Sequence, residues 1–161
     1  MPPLRLLRLS ALLFLLFAGC AAHRETVRIE SFPPGARVQV NGEERGTTPL
    51  VVTLETGRPH SLRLDRTGFV TEDLRLVPVQ NAEKNGLLRF GPRVRSGYYQ
   101  TFEPNPVEVA LRSTLLPPAR GMGGFSAMAE RVRSADAMLE EGTITAEDHG
   151  WIVEQIIDAY R

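Results

Sequence analysis

The chain has a single cysteine in 161 residues, a single lysine, and a formal charge of zero. One thiol excludes an internal disulfide, so the folded core rests on burial alone. Equal numbers of acidic and basic residues, 19 of each, exclude bulk electrostatic capture of nucleic acid. The three histidines, His23, His60 and His149, lack metal-binding spacing such as His-Glu-X-X-His. There is no Gly-X-Ser-X-Gly elbow, no Walker loop and no dinucleotide fingerprint. Gly121-Met-Gly-Gly124 is glycine-rich, but no strand leads into it. The carboxylates are scattered along polar faces and suggest no acid–base pair. The expectation is a chain with no catalytic residues, no metal and no cofactor. No segment provides the roughly 20 apolar residues of a bilayer-spanning helix.

What is present begins at the N-terminus. Met1–Arg8 carries Arg5 and Arg8 and no acid, and Leu9–Ala18 is almost wholly apolar. A basic start, a short apolar run and small residues form a secretory signal, here residues 1–19. Phe17-Ala18-Gly19-Cys20 resembles the lipobox of bacterial lipoproteins, with Phe17 where that pattern usually has leucine. The resemblance implies cleavage before Cys20 and lipidation of Cys20, commonly with palmitate-type acyl chains. Two or three chains anchor stably where one does not. Ala21 rather than aspartate after the cysteine resembles an outer-membrane address facing the periplasm, if the host is Gram-negative. An ordinary signal peptide cut near Ala22 is the alternative. Loss of residues 1–19 leaves two more acids than bases.

Beyond a short tether at 20–25, apolar residues alternate. Val27/Ile29, Val38/Val40, Leu50/Val52/Leu54, Leu62/Leu64, Leu74/Leu76 and Val107/Val109/Leu111 all follow period two. Six short strands with turn signals between them predict a small antiparallel β-sandwich over 26–112. Pro33-Pro34-Gly35-Ala36 suits a type II turn, with Pro34 fixing φ and Gly35 supplying a positive φ. Asn41-Gly42 predicts a tight hairpin. Pro49 opens a strand.

Val27-Arg-Ile-Glu-Ser-Phe-Pro-Pro-Gly-Ala-Arg-Val-Gln-Val-Asn-Gly42, then Gly46-Thr-Thr-Pro-Leu50, Gly57 and Gly68-Phe69, resemble the PEGA domain. Pro34 replaces the glutamate of the family's Pro-Glu-Gly-Ala turn. The resemblance spans about Val27–Val79. It implies a small β-sandwich of exported proteins, usually non-catalytic.

Residues 81–106 make a long connection. Arg89, Arg93, Arg95, Tyr98 and Tyr99 are its candidate contact residues, for anionic headgroups or envelope glycan. The alternative is an excursion whose aromatics cover an edge of the sandwich. Pro104–Leu111 resembles the closing strand of lipoproteins with PEGA-like domains.

Residues 113–124 are expected to be a linker. Phe125, Met128, Val132, Ala135 and Leu139 then follow helical spacing, as do Ile152, Ile156 and Ala159. Gly142 suits a left-handed C-cap and Thr145 an N-cap. Leu139-Glu-Glu-Gly-Thr-Ile-Thr-Ala-Glu-Asp148 resembles the turn of the short C-terminal hairpin called SHOCT. That resemblance implies interaction or self-association through 125–161; the alternative is a tail packed on its own domain. The fold expected is therefore mainly β with a C-terminal two-helix hairpin, the first 115 residues folding without that hairpin. The function expected is a lipid-anchored, non-catalytic envelope module that binds an envelope protein. Peptidoglycan or surface-glycan binding is the second reading.

Overall fold

The structure is a computed structural model and describes residues 22–84 and 91–161. Among the described residues, nine strands precede the helical hairpin. They are β1 (Arg24–Phe32), β2 (Arg37–Val40), β3 (Glu43–Thr47), β4 (Leu50–Glu55), β5 (His60–Asp65), β6 (Glu72–Leu76), β7 (Pro78–Gln80), β8 (Gln100–Phe102) and β9 (Val107–Ala110). A four-residue helical turn, α1 (Pro92–Arg95), lies between β7 and β8. The hairpin consists of α2 (Gly124–Glu140) and α3 (Ala146–Ala159).

A three-stranded sheet, ordered β4-β1-β9, faces a four-stranded sheet, ordered β3-β2-β5-β6; β7 and β8 form a separate ribbon. The alternating residues named above supply the facing sides. Val27, Ile29, Leu54, Val107 and Val109 come from one sheet, and Val38, Val40, Leu62, Leu64 and Leu76 from the other. All six predicted strands are present. The sequence reading missed β3, β7 and β8. Glu43-Glu-Arg-Gly-Thr47 has no apolar alternation because every residue of β3 but half-buried Gly46 is exposed on this sheet edge. One pairing is not antiparallel: β9 runs parallel to β1, from Ile29↔Val107 to Phe32↔Ala110. It follows the long 81–106 connection, far along the chain from β1.

β9 covers only the second half of that edge of β1. The first half is satisfied by side chains. Asn105 accepts a hydrogen bond from the Arg28 N–H (3.1 Å) and donates one to the Thr26 carbonyl (3.0 Å). Glu25 accepts from the Thr101 hydroxyl and the Phe102 N–H, tying β8 beside β1.

The helical hairpin shares the core of the sandwich: Ala135, Ile144, Ile152 and Ile156 are fully or nearly fully buried in one cluster with the strand residues. Three of the expectations change as a result. The 113–124 stretch is not free throughout, because Ser113 and Pro117 are buried and Ser113 pairs with Phe69. The Gln155 amide accepts from Ser113 N–H and donates to Leu111 C=O, at 2.8 and 2.9 Å. The expectation that the first 115 residues form a self-sufficient unit conflicts with this shared core. Phe125, placed at the head of the apolar stripe of α2, is 79% exposed in the first turn of that helix.

Between the helices the expected caps form. Gly142 has φ +70°, with Thr143 N–H bonded to Met138 C=O and Gly142 N–H to Leu139 C=O, a Schellman closure. Thr145 and Asp148 form a reciprocal capping box that starts α3.

Candidate functional site

The two ends of β1 define two poles of the molecule. Its nine residues span about 26 Å at 3.3 Å per residue. At the first pole the chain emerges from the N-terminal segment; at the second the helical hairpin is docked.

At the first pole, His23 bridges two segments. Its N–H donates to Ser96 C=O (2.8 Å), and its C=O accepts from Thr56 N–H (3.0 Å). The Thr56 hydroxyl donates to Gly97 C=O (2.7 Å). The 93–98 segment is thus fastened to the β4–β5 turn directly by the Thr56 hydroxyl and indirectly through the His23 backbone. Gly97 makes this possible: with φ +78°, a Cβ there would lie 2.4 Å from Gly57 N. Tyr98 stands at the centre. It packs edge-on against His23 and Tyr99, with ring centroids 5.4 and 5.2 Å away. Lys84 Nζ lies 4.8 Å and Arg93 Cζ 5.4 Å from its ring centre. Arg93 and Arg95 are exposed. Lys84, Arg93 and Arg95 form no ion pair with a described carboxylate, whereas Arg24 and Arg58 at the rim share Glu55. Of the candidate contact residues, the fold therefore gathers Arg93, Arg95, Tyr98 and Tyr99 here. Arg89 and Cys20 lie outside the described residues. Lys84, a basic residue of the same 81–106 connection, and His23 complete the cluster; His23 was missed in the sequence because nothing local links it to residue 98.

The predicted turn residues divide between the poles. Asn41 and Gly42 have φ of 53° and 82°, as a type I′ hairpin requires. The Asn41 side chain does more: it accepts from Ser61 N–H (3.0 Å), and its amide N–H reaches His60 Nδ1 (2.9 Å). Glu55 C=O can only accept, so His60 Nε2 carries the hydrogen in their 2.9 Å contact. His60 is buried against Phe102 and acts as a structural brace.

At the second pole, Gly35 has the expected positive φ, +87°. The turn is closed by Thr48, from the connection between β3 and β4. Ala36 N–H donates to the Thr48 hydroxyl (3.0 Å), and Gly35 N–H to the Thr48 C=O (2.9 Å). The Ser31 hydroxyl takes up Pro33 C=O (2.7 Å). Thr48 of the Gly46-Thr-Thr-Pro49 run is thus the partner of the Pro33–Ala36 turn. Exposed Pro34 carries no polar group where the family pattern has a carboxylate.

Beside Gly35, Arg66 reaches into the helical hairpin. Its Nε and Nη2 lie 2.6 and 2.5 Å from Asp148 Oδ1, with side-chain exposures of 13% and 8%. The other carboxylate oxygen accepts from the Thr145 hydroxyl and N–H. Burial alone would raise the Asp148 pKa. Its hydrogen bonds from Thr145, and those and the charge of Arg66, outweigh that and hold it below the ordinary carboxylate value. Phe32 meets Trp151 edge-on at 4.4 Å on the same seam.

Among the described residues, no three His, Cys, Asp or Glu side chains are placed to hold a metal ion, and no helix is long and apolar enough to cross a membrane.

This β domain, with its glycine turns and a threonine clasp, is found by comparison with known families: a PEGA domain occupies residues 24–84. The match covers β1 to β7 and stops before β8, β9 and the helical hairpin. No curated protein and no solved structure matches the chain.

Proposed function

We propose that this chain is a lipid-anchored envelope protein, tethered through Cys20, whose PEGA domain is a non-catalytic stand for the helical hairpin. PEGA domains are often found in secreted or envelope proteins. The observation that carries the reading is the separation of the poles: the chain enters at His23, and the hairpin docks at the other end of β1. A tether at Cys20 then holds the hairpin away from the bilayer, available to a second protein. The hairpin offers exposed apolar side chains, Met122, Phe125 and Ile157, about the end where α2 starts and α3 finishes. There Gly121 N–H is bonded to Ala159 C=O (2.8 Å).

The test is the mass of the mature N-terminus in wild type and Cys20→Ser, with fractionation of both. The reading expects a diacylglycerol-modified Cys20 and membrane recovery for wild type, and loss of both in the variant. A wild-type chain that starts after Ala22 without lipid would overturn it. Cross-linking in intact cells, with and without Met122→Asp/Phe125→Asp, then asks whether the hairpin holds the partner.

A further inference from the structure

We infer that the pole formed by His23, Lys84, Arg93, Arg95 and Tyr98 rests on the membrane surface and binds the phosphates of anionic lipid headgroups. The inference depends on the lipidation of Cys20 proposed above. Two residues, Ala21 and Ala22, lie between Cys20 and His23, so the Cα atoms of Cys20 and His23 lie at most about 11 Å apart. An acyl-bearing Cys20 at the bilayer surface therefore keeps His23, and the pole around it, within about that reach of the headgroups. The chemistry of the pole fits that position. Lys84, Arg93 and Arg95 are cations without a described carboxylate partner. Tyrosine is favoured at the interface because it pairs an apolar ring with a hydroxyl. Carboxylates near the pole are otherwise engaged or outnumbered: Glu55 is shared by Arg24 and Arg58, and Glu25 bonds inward to β8. Glu83 stands beside Lys84 in the chain. The 93–98 segment is also anchored in place by Ser96, Thr56 and Gly97, so it presents its cations on a preformed surface. The lipid chains supply the hold and the cations set the orientation. Each cation at an anionic surface shifts the population of the face-down state about five-fold.

The mature chain contains no other cysteine, so Val94→Cys places a single free thiol on this pole and Glu140→Cys one on the helical hairpin. The full-length protein is produced in bacteria, and the mature lipoprotein is labelled with a fluorophore. It is reconstituted into phosphatidylcholine vesicles with or without phosphatidylglycerol. A quencher attached to lipid headgroups is then added. The expected result is strong quenching at position 94 in anionic vesicles, little at position 140, and a fall of about 30-fold in the face-down ratio with Arg93→Gln/Arg95→Gln. Equal quenching at both positions, or no effect of the double substitution, would overturn the inference. So would a label at 94 that responds to soluble peptidoglycan fragments and ignores the headgroup quencher. The mass of each preparation separates the premises: a chain without acyl groups refutes the anchor, and the inference with it, whereas an acylated chain that tumbles freely refutes only the inference.

Discussion

Asp148→Asn tests the seam between the PEGA domain and the helical hairpin. Asp148 accepts from Arg66 Nε and Nη2 through one oxygen and from Thr145 through the other, in a site that is 8% exposed on its side and 13% on the arginine side. The asparagine can keep a capping acceptor for Thr145, so the loss of a helix cap, about 1 kcal/mol, is largely avoided. What it cannot do is neutralise Arg66. Removing one partner of a buried pair costs about 3–5 kcal/mol, because the remaining charge is left desolvated. The residual exposure of Arg66 puts the expectation at the lower end, about 3 kcal/mol. Urea denaturation of the mature protein measures it as a shift in midpoint at unchanged slope. Arg66→Met/Asp148→Leu should recover much of the loss, since it leaves no orphan charge. A cost below about 1 kcal/mol for Asp148→Asn, measured near neutral pH, would refute the claim that this ion pair secures the hairpin. The pH dependence gives a second reading. The folded-state pKa of Asp148 lies below its unfolded value. Its contribution is therefore fully present at neutral pH and is lost as pH falls below about 4, toward the folded-state value. The stability gap between wild type and Asp148→Asn should close over that range.

Other positions can be tested in the same way. Gly35→Ala adds a Cβ at φ +87° and 2.6 Å from Arg66 Nη1, so it should cost about 1–2 kcal/mol of backbone strain plus a disturbance of the seam. In a double-mutant cycle the second part should shrink when Asp148 is already asparagine; strict additivity would argue against contact between the turn and the pair. Gly97→Ala places a Cβ 2.4 Å from Gly57 N; hydrogen exchange of residues 93–98 should rise sharply, with little change in the β1–β4 pairing. Deleting everything after Leu115 removes Ala135, Ile144, Ile152 and Ile156 from the shared core. With about 1.5–3 kcal/mol for each buried isoleucine, against a typical total of about 5–15 kcal/mol, the truncated chain should be largely unfolded or degraded. A cooperative unfolding transition near that of wild type would restore the view of the hairpin as an appendage.

The elements whose signals are local were legible in the sequence. Period-two alternation marked β1, β2, β4, β5, β6 and β9, since each presents one face to a single core. Asn41-Gly42, Gly142 and Thr145 marked positions where backbone conformation restricts the residue type, and all three adopt the expected geometry. What could not be read is long-range. Thr48 closes a turn that is 12 residues away from it, and Asp148 meets an arginine 82 residues away. His23 joins the Tyr98 cluster across nearly half the chain. None of these partners sits at a spacing that helix or strand periodicity would single out. The edge strand β3 was missed for the opposite reason: it has no buried face to produce a pattern.

The limits of the PEGA match and the limits of the folding unit differ, and β1 explains why. The matched segment, residues 24–84, contains β1 and its antiparallel neighbour β4, yet leaves the other edge of β1 bare. An open central edge exposes unpaired N–H and C=O groups and the apolar faces behind them. This chain covers that edge with Asn105, β8 and β9, all from outside the match. Asn105 satisfies Thr26 and Arg28, Glu25 draws β8 alongside, and β9 pairs from Ile29 onward. The strand that closes the edge leads directly into Leu111–Ser113, which the Gln155 amide grips from α3. Closing the sheet and docking the hairpin are therefore consecutive steps along one stretch of chain. A perturbation at either end of it, whether Asn105 or Gln155, should be felt at the other as loss of order in β9. In this protein the hairpin is held where it is by the same segment that completes the sandwich.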